Sequence, residues 1–214
     1  MKIKVCGMKY PGNIRELNKL PVDFTGLIFH KKSPRYVDDL KPADIRNSFH
    51  GGKEKVGVFV NADMDYIIQM VNEYTLYLIQ LHGDESPDFC KELNKTAPVI
   101  KAFSITENFD FDQTKAYEGI CDYFLFDTKT SQHGGSGLKF DWKILDRYSG
   151  NTPFFLSGGI SSEDAERIKE IQHPQLYAVD LNSRFETAPG LKDIELVEQF
   201  IKRLKDEQDQ PAIQ

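Results

Sequence analysis

Hydrophobic residues recur along this chain in short, nearly uninterrupted runs separated by polar stretches. Eight such runs are IKVC (3–6), FTGLIF (24–29), KVGVFV (55–60), LYLIQL (76–81), PVIKAF (98–103), YFLFD (123–127), PFFLS (153–157) and LYAVDL (176–181). They are rich in β-branched and aromatic residues, and most are apolar along their length rather than strictly alternating. A strand covered on one face alternates; a strand covered on both does not. The runs therefore predict strands of a parallel sheet. Between several of them the period changes. In GNIRELNKL (12–20), Ile14, Leu17 and Leu20 fall near a helical repeat after a Pro-Gly break, and DMDYIIQMVNEY (63–74) repeats the pattern with Ile67, Met70, Val71 and Tyr74. SPDFCKEL (86–93) opens with Ser-Pro, a helix-start signal. SSEDAERIKEI (161–171) opens with serines and an acidic first turn, which complement the positive end of a helix.

Strand-then-helix units at this spacing predict βαβ crossovers. Eight of them in 214 residues predict an α/β fold, a single (β/α)8 TIM barrel at the low end of the usual size. A doubly wound open sheet is the competing architecture, which periodicity alone leaves open. No linker or low-complexity tract divides the chain. The barrel is expected over residues 1–205, with the polar DEQDQPAIQ (206–214) as a frayed tail.

Composition narrows the partners. A formal net charge of −6 argues against a nucleic-acid binder, yet leaves room for a small basic pocket that takes an anionic metabolite. Cys6, Cys90 and Cys121 are odd in number and far apart, with no CxxC or Cys/His spacing, which predicts neither a disulfide framework nor a zinc site. The N-terminus enters a strand-like run at once, without the apolar segment of a signal peptide, and no stretch approaches the roughly 18 apolar residues of a membrane span. The expectation is a cytoplasmic protein with no membrane partner. Monomer and homodimer both remain open.

In a barrel, residues at the C-terminal ends of the strands line the active-site mouth. Cys6, Arg35, His82, Asp127 and Asp180 fall at or near such ends. SGGI (157–160) and DLNSRFE (180–186) follow the seventh and eighth runs, where barrels frequently build a phosphate site. Gly158 and Gly159 let backbone N–H groups approach an anion, and Ser183 adds a hydroxyl; a simple tight turn is the plainer reading. Asp127 ends an apolar run, and burial there would favour a proton-donating carboxyl. The GGSG behind it lacks the spacing and lysine of a P-loop and reads as a loop able to close over a substrate, or as a flexible linker behind a capping aspartate. Arg35, after a proline, suits a two-pronged bond to a carboxylate, or sits in solvent. His82 is a weaker candidate base. Cys6 is either core packing or, in an electropositive mouth, a base or nucleophile.

Taken together and in order, KVCGMK, GLIFHKKSPRYV, VGVFVN, IQLHGDE, FDTKTSQHGGSGLKFDW, SGGI and DLNSRFETAPGLKD resemble the phosphoribosylanthranilate isomerase family, from residue 2 to about 193. The resemblance implies a (β/α)8 barrel that performs an Amadori rearrangement on a phosphorylated small molecule, with no metal or organic cofactor. It implies Cys6 as general base, Asp127 as general acid and Arg35 as the contact to the anthranilate carboxylate. It also implies that Gly158, Gly159, Ser183 and Arg184 surround the phosphate, with Gly135 of the GGSG segment also touching substrate. Arg184 stands where many members carry glycine, and Leu138 where lysine or arginine is usual. A phosphosugar-binding barrel without turnover is one alternative. A related enzyme such as indole-glycerol-phosphate synthase is another, and Lys101 is the residue that favours it.

Overall fold

The structure is a computed structural model that describes residues 1–37, 40–49, 53–128 and 141–205. Every predicted apolar run forms a strand: β1 (Lys2–Val5), β2 (Phe24–Ile28), β3 (Glu54–Phe59), β4 (Leu78–Leu81), β5 (Val99–Ile105), β6 (Tyr123–Thr128), β7 (Phe154–Ser157) and β8 (Leu176–Leu181). Each pairs in parallel with the next, and β8 returns to β1 with Lys4 opposite Asp180. That last pairing closes the barrel and excludes the open sheet.

Closure explains why the runs do not alternate. On β1, Ile3 and Val5 face the outer layer, whereas Lys4 and Cys6 occupy the other face of the strand. Phe24, Val56, Leu78, Ile100, Leu125, Phe155 and Ala178 form a separate inner cluster, each contributed by a different strand. Ile3, Phe59, Ile79, Phe124, Phe126, Phe154 and Val179 belong to the larger outer cluster, shared with the helices. Both faces are dry, so both are apolar.

Helices cover the outside. They are α1 (Pro11–Leu17), α2 (Pro42–Arg46), α3 (Met64–Tyr74), α4 (Pro87–Leu93), α5 (Ala165–Lys169) and α6 (Ile194–Lys205). The predicted stripe of α3, Ile67, Met70, Val71 and Tyr74, is buried as a set. Ser86 caps α4 by accepting from the Phe89 N–H, as its Ser-Pro start predicts. The segment 161–171 is shorter than predicted as an α-helix: a 3₁₀ turn, Ser162–Asp164, runs into α5. Two connections depart further. Among the described residues, β5 to β6 and β6 to β7 contain 3₁₀ turns, Phe111–Tyr117 and Trp142–Arg147, instead of α-helices. Their buried pairs, Phe111 with Thr114 and Trp142 with Leu145, are three apart, which matches the 3₁₀ repeat. After β8 the chain makes a small antiparallel hairpin, β9 (Glu186–Ala188) and β10 (Leu191–Lys192), before α6. No helix among the described residues is long and apolar enough to cross a membrane. The tail at 206–214 lies outside the described residues, as do Gly135 and Leu138.

Candidate active site

At the C-terminal mouth the inward strand positions turn polar. Cys6, Gln80, His82, Asp127, Ser157, Asp180 and Asn182 line a cavity of ≈ 320 Å³, joined by Gly158, Gly159 and Ser183 from the loops after β7 and β8. Ile28, Val58, Val60 and Ile160 supply apolar wall.

Cys6 continues β1, its N–H donating to Leu181 O at 2.8 Å, which fixes the direction of its side chain. A Cβ on Gly26 would lie 2.7 Å from the Cys6 sulfur, so β2 needs glycine beside the thiol. One inward position below, Lys4 is fully buried and pairs with Asp180, Nζ to Oδ1 at 2.9 Å. The other Asp180 oxygen accepts from the Ser157 hydroxyl at 3.3 Å. Burial pushes the Cys6 thiol above its ordinary pKa, and the ammonium groups of Lys4 and Lys192 pull against that rise. Burial also works against the Lys4 charge, but Asp180 and Cys6 outweigh it and hold the ammonium above its usual value.

Asp127 is the last residue but one of β6, with a side chain 16% exposed, and its Oδ2 lies 3.4 Å from His82 Nε2. Gln80 Nε2 is 3.0 Å from His82 Nδ1. An amide NH₂ can only donate, so Nδ1 accepts, and neutral His82 carries its proton on Nε2, facing Asp127. Gln80 is buried, and its Oε1 has no hydrogen-bond partner among the described residues.

The loop after β7 owes its path to glycine. Gly158 has φ +101°, and a Cβ there would sit 2.1 Å from Thr128 O. Gly159 has φ +64° with open space where a Cβ would be. The first glycine is required by the backbone of β6; the second leaves the cavity side clear for a ligand.

The family model for N-(5'-phosphoribosyl)anthranilate (PRA) isomerase matches residues 3–203. The chain belongs to this isomerase family. It is 47% identical to the N-(5'-phosphoribosyl)anthranilate isomerase of Parabacteroides distasonis over 206 residues, which covers 95% of this chain and 93% of that one. Phosphoribosyl anthranilate isomerase from Thermotoga maritima has a similar structure, with TM-score 0.82 and 31% identity over 96% of this chain and 99% of that one. A phosphoribosyl anthranilate isomerase solved in complex with reduced 1-(o-carboxyphenylamino)-1-deoxyribulose 5-phosphate has TM-score 0.80 and 28% identity, again over 96% and 99%.

Of the residues that the isomerase resemblance singles out, Cys6, Asp127, Gly158, Gly159 and Ser183 meet at one cavity, together with the weaker candidate His82. Arg35 is half-buried beside it, and its guanidinium is engaged by Glu186. Arg184 is exposed in the turn after β8 and is not among the residues that line the cavity. Gly135 lies outside the described residues. Lys101 is also away from the cavity wall: its ammonium is buried against Glu85 at 3.0 Å and Gly83 O at 2.6 Å. The sequence did not single out Lys4, Gln80, Asn182, Glu186 or Lys192. A lysine inside an apolar strand, two residues before Cys6, was the one local signal available.

Proposed function

We propose that this isomerase converts N-(5'-phosphoribosyl)anthranilate into 1-(2-carboxyphenylamino)-1-deoxyribulose 5-phosphate by an Amadori rearrangement, as a step of tryptophan biosynthesis, with Cys6 as general base and Asp127 as general acid. The observation that carries the reading is a thiol and a carboxyl group on the wall of one small cavity, on strands that are not neighbours. Separated in this way, the acid and the base do not neutralise each other directly.

The chemistry follows from these two groups. Protonated Asp127 gives its proton to the furanose ring oxygen; the ring C1–O bond breaks as the nitrogen lone pair forms a C=N bond. The cationic imine acidifies the proton on C2. The Cys6 thiolate takes that proton, and the C2–H electrons form an enolamine; the Cys6 thiol then returns a proton to C1 as the Asp127 carboxylate takes the proton of the C2 hydroxyl, which leaves the ketone at C2 and both groups as they began. Atoms and charge balance without any other reactant, as an isomerisation requires. His82, with its Nε2 proton toward Asp127, stabilises the aspartate left after the first transfer. Gly158, Gly159 and Ser183 are the candidate phosphate contacts, since their loops reach the cavity where backbone N–H groups and a hydroxyl can meet an anion.

The test follows the loss of phosphoribosylanthranilate fluorescence with wild type, Cys6→Ala and Asp127→Asn. Each substitution is expected to lower kcat by about 10²–10⁴-fold, the range for removing a proton-transfer group. Full activity in both variants, or no turnover by wild type above the buffer rate, would sink the proposal.

A further inference from the structure

Among the described residues, Arg35 is held along one edge only. Its Nε bonds the Glu186 carboxylate at 2.8 and 3.0 Å, and its Nη2 does so at 2.6 Å. That fork uses the side of the guanidinium; the end, formed by Nη1 and the second proton of Nη2, is a separate two-pronged edge. Glu186 opens β9 and is itself fixed. Its Oε1 accepts from the Gly190 N–H at 3.1 Å and from the Lys192 ammonium. Lys192, buried in β10, also donates to Asn182 Oδ1 at 2.9 Å, and Asn182 lines the cavity. The backbone of Lys192 is tied to α1 through the Asn13 side chain, at 2.8 and 2.9 Å. A Cβ at Gly7 would lie 2.6 Å from Arg35 Cδ, so the arginine stem is packed against the residue that follows Cys6.

Charge gives the arrangement a purpose. An Arg35–Glu186 pair alone would be neutral and would attract an anion poorly. Lys192 adds a second cation to the same carboxylate, so the three groups together keep one positive charge. We propose that Glu186 and Lys192 are positioning residues for recognition of the substrate's aryl carboxylate. Glu186 holds the side of Arg35 so that its end faces the carboxylate, and Lys192 keeps the pair net positive. This rests on the carboxylate-binding role of Arg35 and extends it to two residues that act through it.

The experiment compares kcat/KM for phosphoribosylanthranilate with that for N-(5-phosphoribosyl)aniline, which lacks the carboxylate. The ratio of the two, measured on one preparation, does not depend on how much of the protein is folded, nor on changes at Cys6 common to both substrates. Arg35→Met is expected to collapse the ratio. Glu186→Gln and Lys192→Met are each expected to lower it about tenfold, the size of one charge-assisted hydrogen bond. Neither is expected to lower it further when combined with Arg35→Met, and Lys192→Arg is expected to restore most of it. If Arg35→Met lowers the ratio while Glu186→Gln and Lys192→Met leave it at the wild-type value, or add to Arg35→Met in full, the positioning role is overturned and Arg35 keeps its own. A wild-type ratio in Arg35→Met overturns the carboxylate role itself, and the positioning role with it.

Discussion

At the scale of single residues, the site turns on the protonation of Cys6. Burial raises its pKa, so in the free protein the thiol outlasts an ordinary cysteine as pH rises. The proposed mechanism needs this group deprotonated and Asp127 protonated. Between their two pKa values those fractions change in opposite directions with pH and their product stays constant. kcat/KM is therefore expected to be flat between the two values and to fall on both sides: on the acid side because Cys6 continues to gain its proton while Asp127 is already protonated, and above the Cys6 value because Asp127 continues to lose its proton while Cys6 is already a thiolate. The pH dependence of inactivation by iodoacetamide locates that value directly, because Cys90 and Cys121 are buried away from the cavity wall. The expected midpoint lies above the free-thiol value of about 8.5, and coincides with the alkaline limb of kcat/KM; a midpoint below it would contradict the burial argument. Cys6 and Asp127 were legible in the sequence because each closes an apolar run, and a strand end is a place that the fold class defines. Glu186 was not. Its partner Arg35 is 151 residues away in sequence, and nothing local to DLNSRFE states that the two meet.

At the scale of elements, strands were easier to read than helices. A barrel strand needs both faces apolar, so each left a run that no turn or exposed helix imitates. The helical segments carried weaker signals. α2 has five residues and buries only Ile45, too little for a period to show. The 3₁₀ turns after β5 and β6 repeat at three. α6 buries Val197, Phe200, Ile201 and Leu204 at a clear helical spacing, but charges interrupt that stripe and no continuous run marks it. The glycine pair after β7 was legible as a turn, and the structure separates its two members. Gly158→Ala places a methyl group against the β6 backbone at a φ that disfavours side chains. It is expected to displace the loop, lower the melting temperature and raise KM. Gly159→Ala has open space and carries only the left-handed penalty, about 1–2 kcal/mol. It is expected to cost less stability while still raising KM, because its methyl group enters the ligand side of the loop. Thermal melts and initial rates of both variants check this order; equal stability losses would mean that Thr128 does not dictate the first glycine.

At the scale of the whole molecule, the cavity floor and the barrel seam are one structure. Lys4 and Asp180 are 176 residues apart in sequence and meet where β1 and β8 close the cylinder. Neither is accessible to water to any extent that would screen the pair. Attraction between two buried charges roughly offsets the cost of drying them, so the pair adds little net stability, yet losing one member leaves the other charged and unpartnered. Lys4→Met is therefore expected to cost about 3–5 kcal/mol, a large part of the 5–15 kcal/mol typical of a folded domain. Lys4→Met with Asp180→Asn removes both charges and is expected to recover much of that loss. Urea unfolding of the three proteins decides the matter: a single variant within about 1 kcal/mol of wild type, or a double variant no more stable than the single, would mean that the seam does not depend on this pair. Recovery of stability in the double variant would not restore the surroundings of Cys6. The ammonium that draws the thiol's pKa down lies directly beneath it, so closing the barrel at this seam also sets the charge under the proposed base.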